Sequence, residues 1–295
     1  MRPGPRAQAL PAKSPSGTLK TMPVSEANAP PILRHKDYEA SSAFTPESLL
    51  RQARRQKQLP HIVVPEVCIL DPDGDIVRYL RAAKRASRHD GWACYHTDLY
   101  VFRQEGHECG IVGCAVGAAF AVLIAEQLFA SGCRLLVSIT SAGQIAHVQA
   151  PPYFVVIDRA LRDEGTSYHY LPASEYSEAD STLTVLAREA LAAAGMPVRV
   201  GASWTTDAPF RETEAAIAVA LRAGILAVEM EAAALYAFAR ARGRSVVCFA
   251  HVTNQMGRIE EDFEKGMWDG AEASLRVVST TAERWRERNH GDPRA

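Results

Sequence analysis

The chain lacks the features that would mark a nucleic-acid, membrane or secreted protein. Its 33 Lys and Arg nearly balance its 34 Asp and Glu, so no net field favours nucleic acid or an anionic membrane. No apolar run reaches the ~18 residues of a membrane-spanning helix. The N-terminus carries Arg2 and Arg6 but no continuous apolar stretch of the kind found in secretory signals. These absences predict a cytoplasmic protein without nucleic-acid or membrane partners.

Cysteine is scarce and scattered, and several common catalytic motifs are missing. The six cysteines form no CxxC pair and most lie in apolar runs, so we expect buried free thiols, a reducing compartment and no metal site. There is no GxxxxGK[ST] loop, no HExxH and no GxSxG, and the glycines of 110–117 do not form a dinucleotide fingerprint. We therefore predict that the protein needs no cofactor.

Composition divides the chain into three parts. Residues 1–33 are rich in Pro, Ala, Ser and Lys without periodicity, which predicts a flexible tail. Residues 34–60 form a helical extension, in which Thr45 is the predicted N-cap and Pro46 the first residue of a helix running to about Lys57. We expect this extra helix to lie on the main domain, which spans 61–290, or to contact another subunit.

In the main domain, apolar β-branched runs alternate with segments of helical periodicity, separated by Gly. Predicted strands are 61–70, 99–102, 109–114, 133–140, 153–159, 198–205, 225–228 and 245–252. Predicted helices are 75–88, 118–130, 181–194, 213–223, 229–242 and 263–288. The alternation predicts an α/β fold with three α/β/α layers and a mostly parallel, twisted, mixed central sheet.

In such sheets, ligands bind beyond the carboxyl ends of the strands. The loops expected to meet there are 71–78, 138–144, 161–169, 205–213, and 228–231 together with 253–254. Most of them are rich in hydroxyl or charged side chains. We therefore expect one composite site at this edge of the sheet.

Glu229 and Glu231 stand out because they lie in an otherwise apolar stretch where a strand gives way to a helix. Acidic residues are favoured at helix N-termini by ~0.3–1 kcal/mol, which is one explanation. The functional explanation is that an ionised carboxylate only accepts hydrogen bonds, so two neighbouring sugar hydroxyls can donate to it. A fixed carboxylate also favours the positive charge that develops on a ribose as its glycosidic bond breaks.

Three segments resemble the nucleoside phosphorylase-I superfamily, in its uridine phosphorylase-like branch. They are 162–172 (RDEGTSYHYLP), 204–213 (WTTDAPFRET) and 227–237 (AVEMEAAALYA). The resemblance covers about residues 60–280 and implies the nucleoside phosphorylase fold and a homo-oligomer, often a hexamer built from dimers. In this family the second Glu of the Glu-Met-Glu motif binds the ribose 2′- and 3′-hydroxyls and the Met packs under the sugar. The resemblance thus implies these roles for Glu231 and Met230.

The segment 74–78 (GDIVR) resembles the family's Gly-Asp-Pro-x-Arg phosphate loop, with Ile in place of Pro. Gly74 would let the backbone approach an anion, and the helix that follows favours negative charge at its N-terminus. Arg78 offers a fork of donors suited to phosphate. The alternative is an ordinary turn with a solvated arginine.

The rest of the expected phosphate site departs from the family pattern. Ser141 keeps a hydroxyl at the family's phosphate-binding Thr position, but Ser138 stands where phosphorylases carry an Arg. A further Arg, which uridine phosphorylases donate from the neighbouring subunit, is absent from 91–96. Since charged hydrogen bonds contribute ~1.5–3 kcal/mol each, phosphate binding would be weakened. The nucleophile can therefore be phosphate or water.

The expected base site is built around Asn254. Purine-specific members of the family carry an Asp there that protonates the base, and an amide cannot act as a general acid. Uridine phosphorylases are similar in having Asn, which favours a pyrimidine. Phe210 could stack on the ring and Arg211 could donate to a carbonyl, or the two could be a core residue and a solvated charge. His169 is expected to help close the sugar end or to shape a subunit contact.

The sequence therefore predicts a pentosyltransferase that splits a nucleoside, with a pyrimidine base, using phosphate as co-substrate and giving free base and pentose 1-phosphate. The expected catalytic residues are Glu231 and Arg78; the nucleoside would contact Met230, Glu229, Phe210, Arg211, Asn254 and His169, and the phosphate Gly74, Arg78, Ser141 and Ser138. The alternatives are a hydrolase that uses water and a non-catalytic member that binds a nucleoside.

Overall fold

The structure, a computed structural model, describes residues 29–255 and 265–291. Most of the predicted tail, 1–28, lies outside the described residues, and Pro31–Leu33 forms a short 3-10 turn. The chain divides into a unit that ends at His35 and a larger unit that begins at Lys36. None of the helices in the described ranges is long and apolar enough to cross a membrane.

The larger unit alternates helices and strands, as the sequence predicts. The helices are α1 (Pro46–Lys57), α2 (Asp75–Ala82), α3 (Ala118–Ala130), α4 (Ser181–Ala193), α5 (Glu214–Arg222), α6 (Ala232–Arg242) and α7 (Ala271–His290). The strands are β1 (Val67–Asp71), β2 (Ala86–Arg88), β3 (Tyr100–Gln104), β4 (His107–Gly113), β5 (Leu135–Gln144), β6 (Tyr153–Asp163), β7 (Tyr176–Glu178), β8 (Arg199–Thr206), β9 (Ala227–Glu229) and β10 (Ser245–Gln255).

These strands form one mixed sheet in the order β10-β6-β8-β9-β5-β1-β4-β3-β2, with β7 beside β6. Strand β10 also pairs with β5, so β5, β9, β8, β6 and β10 close into a ring from which β1, β4, β3 and β2 extend. Within the described part of the chain, five strand pairings are parallel and five antiparallel. The α/β class with a mixed sheet is confirmed. The sequence predicted mostly parallel pairing, whereas antiparallel pairs are as frequent as parallel ones.

Helices cover both faces of the sheet, which gives the expected three layers. Residues Cys68 and Leu70 of β1 belong to a core cluster with α3 and α6. Their neighbours Val67 and Ile69 belong to a second cluster with α2, α4 and α7. Successive strand residues point to opposite faces, so β1 is buried on both sides.

Two predicted elements are shorter than expected. The strand predicted over 61–70 begins only at Val67, since Pro65 has no N–H to offer a strand partner and residues 61–63 are exposed. The helix predicted over 75–88 ends at Ala82. Lys84 then takes a left-handed backbone conformation with φ of 55°, and the chain turns into β2, which pairs with β3.

Two helices begin later in the chain than predicted. The helix predicted from Glu229 begins at Ala232, because Glu229 completes β9. The last helix, predicted from residue 263, begins at Ala271, and residues 263–264 lie outside the described ranges.

The predicted N-terminal helix is confirmed as α1. The Thr45 hydroxyl accepts a hydrogen bond from the Ser48 N–H at 3.2 Å, and Pro46 is the first helical residue. Leu50 and Ala53 are buried in a small cluster with Ala93. The extension therefore lies on the main domain.

Candidate active site

Glu231 lies buried between β9 and α6, where it is the N-cap of α6 and only 1% exposed. Its Oε1 accepts a hydrogen bond from the Gly117 N–H at 2.7 Å. Its Oε2 is buried and forms no hydrogen bond of good geometry with residues 29–255 and 265–291, although the Thr140 hydroxyl lies close to the carboxyl group. A buried polar atom without a partner is costly, so a ligand that brings a donor to this oxygen would be stabilised.

The surroundings of Glu231 raise its pKa to about 8. Burial is the largest cause, and the negative charge of Glu229 is the second. The Gly117 N–H and the Thr140 hydroxyl act in the opposite direction, while the charge of Asp73 adds to the increase. Without a ligand, the carboxyl group therefore holds its proton at neutral pH, and donors or a positive charge brought by a ligand would favour its ionisation.

Glu229, unlike Glu231, accepts hydrogen bonds at both of its carboxylate oxygens, from four groups of the chain itself. The hydroxyls of Ser203 and Thr205 donate to Oε1 at 2.9 and 2.5 Å. The backbone N–H groups of Glu231 and Ala232 donate to Oε2, both at 2.7 Å. Burial raises the pKa of Glu229 and these bonds oppose that increase. The arrangement favours a positioning role, in which Glu229 fixes the backbone of Glu231, over the direct substrate contact expected from the sequence.

The loop after β1 has the conformation expected for a glycine-dependent turn. Gly74 has φ of 76°, and a Cβ at this position would lie 2.6 Å from the Cys114 Sγ. Arg78 donates through Nη1 to the Asp73 carbonyl at 3.0 Å and forms an ion pair with Asp75. Its side chain is 59% exposed. Arg78 therefore lies in the expected loop, but the acceptors of that loop already hold its guanidinium.

Asp73 occupies the donors of Ser141 that the sequence assigned to phosphate. The Ser141 N–H donates to Asp73 Oδ2 at 2.7 Å, and the Ser141 hydroxyl donates to Asp73 Oδ1 at 2.8 Å. Lys265 Nζ lies 2.7 Å from Asp75 Oδ2 and 4.0 Å from Asp73 Oδ1. The site expected for an anion thus contains carboxylates of the chain itself.

Ser138 lies away from this loop, inside β5. It is 2% exposed and paired with Leu70 of β1 and Cys248 of β10. Three residues of extended strand separate it from Ser141, a distance of ~10 Å. Because a serine side chain cannot reach so far, the expected phosphate contact of Ser138 is not supported by the structure.

The expected nucleoside contacts are spread more widely. Met230 is half-buried between the two glutamates, and Asn254 is half-buried opposite Gly143 of β5. Phe210 and Arg211 lie on a short 3-10 turn after β8, where Phe210 is 99% exposed. Phe210 is therefore not a core residue of the isolated chain.

His169 lies on another surface of the molecule. Its Nδ1 is 2.8 Å from the Nζ of Lys36, and burial and the charge of Lys36 lower its pKa. It lines a cavity of about 380 Å³ together with Phe44 of the segment before α1 and Leu123 of α3. Glu231 does not line this cavity, so the structure does not bring His169 to the Glu231 site.

The sequence does not predict the contacts that three groups make in the site. Asp73 stands in an acidic run before Gly74, and its contact with Ser141 depends on the distant strand β5. Gly117 has φ of 92° at the start of α3, a conformation for which its neighbours in sequence give no signal. Lys265 reaches the site from a remote segment, and no motif marks it.

The chain is similar in sequence to one family of known proteins and to a relative with a related name. A family model described as the phosphorylase superfamily matches residues 66–289. A relative named purine nucleoside phosphorylase DeoD-type, from Myxococcus xanthus (strain DK1622), is 29% identical over 140 residues, or 47% of this chain. The match spans 59% of that relative's length, which is less than two thirds.

Proposed function

Because the chain belongs to the phosphorylase superfamily, we propose that it cleaves the N-glycosidic bond of a nucleoside at the site of Glu231. The proposal depends on the different environments of the two carboxylate oxygens of Glu231. One is fixed by the Gly117 N–H, and the other is buried without a partner among the described residues. A ribose presents two adjacent hydroxyls, and each can donate to a carboxylate.

Glu231 would act on the sugar mainly through its charge. As the glycosidic bond breaks, positive charge develops on the pentose ring, and a fixed carboxylate beside the ring stabilises this charge. Burial strengthens the interaction, because solvent screens a charge less when the charge is removed from the surface. The bonds from Ser203, Thr205 and two backbone N–H groups to Glu229 would keep the Glu231 backbone in place during the reaction.

We propose a pyrimidine as the leaving base. Asn254 supports this choice, since a side-chain amide can form hydrogen bonds with the edge of a pyrimidine but cannot protonate a purine as a general acid. It lies at the end of β10, in register with Gly143. Because the Myxococcus xanthus relative is named for purine nucleosides, the test must include both classes of base.

The nucleophile would arrive from the loop of Gly74, Arg78 and Ser141, on the other side of the sugar. With phosphate as the nucleophile the products are free base and pentose 1-phosphate, the phosphorolysis that the sequence resemblance implies. The second candidate is hydrolysis, and it is favoured by the Asp73 carboxylate that holds both donors of Ser141.

We also propose a cytoplasmic homo-oligomer, of the dimer-based hexameric kind that the resemblance implies. The exposed apolar side chains of Phe210, Val219 and Leu221 support an interface, because a partner subunit would cover them. Light scattering coupled to size exclusion measures the assembly, and a monomer at micromolar concentration would refute this part of the proposal.

The test of the proposed function is release of free base from a panel of pyrimidine and purine nucleosides, with and without phosphate, followed by chromatography. We expect the wild type to release base and Glu231→Gln to reduce kcat by about 10²–10³-fold, the loss typical of removing one electrostatic contact to the transition state. Glu189→Gln, an exposed change on α4, is the matched control and should behave as the wild type. Binding of nucleosides without turnover would instead identify a non-catalytic member and refute the proposal.

A further inference from the structure

We propose that the Asp73 carboxylate stands in the place of phosphate in this site and accepts the proton of a water molecule that attacks the sugar. The inference rests on the proposed nucleoside cleavage and names its nucleophile. It makes the chain a nucleoside hydrolase within a superfamily of phosphorylases.

Asp73 is held by both donors of Ser141. Each of its oxygens accepts one hydrogen bond from Ser141, Oδ2 from the N–H at 2.7 Å and Oδ1 from the hydroxyl at 2.8 Å. This is the two-point contact that Ser141 would otherwise offer to an oxyanion such as phosphate. Phosphate could bind there only after Asp73 had moved away and lost both bonds.

The charges of the loop around Asp73 are balanced among the described residues. The two cations of this region, Arg78 and Lys265, are each bonded to Asp75. The negative charges of Asp73 and Asp75 balance the positive charges of the two cations. Asp71, two residues before Asp73, is buried, and burial is the main reason that its pKa is raised to about 7. Among the described residues, the loop therefore has no surplus positive charge to offer to a phosphate dianion, whereas a neutral water molecule needs none.

Asp73 is accessible to water and can accept further hydrogen bonds. A carboxylate has about four acceptor positions, of which Ser141 uses two. The side chain is 27% exposed, so water can reach the remaining positions. Ser141, which binds Asp73, follows Thr140 in β5, and the Thr140 hydroxyl lies close to Glu231, so both carboxylates lie at this end of β5.

The reaction balances with water alone. The water oxygen bonds to C1′ of the pentose, the bond from C1′ to the base nitrogen breaks, and its electron pair leaves with the base. One proton of the water passes to Asp73, which later returns it to solvent, and the base takes a proton from solvent. The products are free base and free pentose.

The experiment compares the wild type with Asp73→Asn and Asp73→Ser, with and without inorganic phosphate, and identifies both products. We expect the wild type to release base at the same rate without phosphate and to give free pentose. Asp73→Asn should lower kcat by about 10²–10⁴-fold with little change in KM, as expected for loss of a general base. Asp73→Ser removes the carboxylate from the donors of Ser141, so we expect its base release to become phosphate-dependent and to give pentose 1-phosphate.

Several outcomes would overturn the inference and leave the proposed function standing. They are a wild type that needs phosphate and forms pentose 1-phosphate, an Asp73→Asn variant with full phosphate-independent activity, and an Asp73→Ser variant that does not respond to phosphate. Thermal unfolding of each variant separates loss of chemistry from loss of fold. The absence of base release by the wild type in every condition would refute the proposed function itself, and the inference with it.

Discussion

The two glutamates of the Val228–Glu231 stretch differ in what donates to them. Glu229 accepts four hydrogen bonds from the chain, whereas Glu231 accepts one at Oε1 and leaves Oε2 without a partner in the described ranges. The sequence identifies both as candidates, because two carboxylates in an apolar stretch are unusual and indicate a specific role. The family resemblance assigns the sugar to Glu231. The sequence does not show that Glu229 is already satisfied, since the hydroxyls that donate to it come from Ser203 and Thr205 on another strand.

The raised pKa of Glu231 predicts how the reaction depends on pH. Only the ionised form can stabilise positive charge on the sugar, and the pKa of about 8 means that this form is scarce at pH 6. We expect kcat/KM to rise with pH, about tenfold per unit, and to level off near pH 8. The neighbouring charges of Glu229 and Asp73 are among the causes of this high pKa. A pH–rate profile on the preferred nucleoside measures it, and a flat or falling profile from pH 6 to 8 would contradict the assignment.

At the scale of elements, local signals predicted some boundaries well. Helix α3 has the predicted bounds, 118–130, and α1 begins after the predicted N-cap Thr45. Short strands such as β2 and β7 were missed, because their stability comes from pairing with β3 and β6 and not from their own sequence. The end of α2 at Ala82 was missed for the same reason, since the next residues join a strand.

The turn between β1 and α2 allows a matched test of why glycine is required. Gly74 and Gly106 have similar φ values, 76° and 78°, but only at Gly74 would an added Cβ meet a neighbour, the Cys114 Sγ at 2.6 Å. Gly106→Ala should cost about 1–2 kcal/mol of unfolding free energy, for its left-handed backbone alone. Gly74→Ala should cost more and should also reduce activity, because the turn carries Asp73. Urea unfolding of both variants measures the difference, and equal losses would show that the contact with Cys114 does not matter.

At the scale of the whole molecule, the rule that parallel strands gather their loops at one edge was correct for 71–78 and 138–144. The contact between Asp73 and Ser141 joins these two loops. The loops 161–169 and 205–213 meet through the bond from the Gly165 N–H to Asp207. Thr205 joins the second of them to Glu229. They belong to β6 and β8, which run antiparallel to β10 and β5 in the closed ring. Ring closure joins strands distant in sequence, so periodicity could not predict it.

The buried carboxyl groups predict how stability depends on pH. Glu231 and Asp71, with pKa values raised to about 8 and about 7, keep their protons in the folded state at pH values where the unfolded chain has lost them. Stability should therefore fall as pH rises from 6.5 to 8. His251, whose pKa is lowered to about 4, acts in the opposite sense only below about pH 6.5.

Comparison of the wild type with Glu231→Gln isolates one of these groups. In the wild type, ionisation of Glu231 should remove on the order of 1–2 kcal/mol over this range, since one pKa unit corresponds to about 1.4 kcal/mol. The variant cannot ionise, so its Tm should fall less than that of the wild type between pH 6.5 and 8. If the two Tm values fall in parallel, the pKa of Glu231 is not raised in the folded protein.

The most direct test of the central claim, that Glu231 holds the sugar through its hydroxyls, combines a substrate change with a residue change. kcat/KM is measured for a ribonucleoside and its 2′,3′-dideoxy counterpart, each with the wild type and with Glu231→Gln. If the hydroxyls donate to Glu231, the wild type prefers the ribonucleoside strongly, and the variant loses most of that preference because the charged acceptor is gone. A preference of the same size in both proteins would contradict the claim, since the hydroxyls would then be recognised by another group.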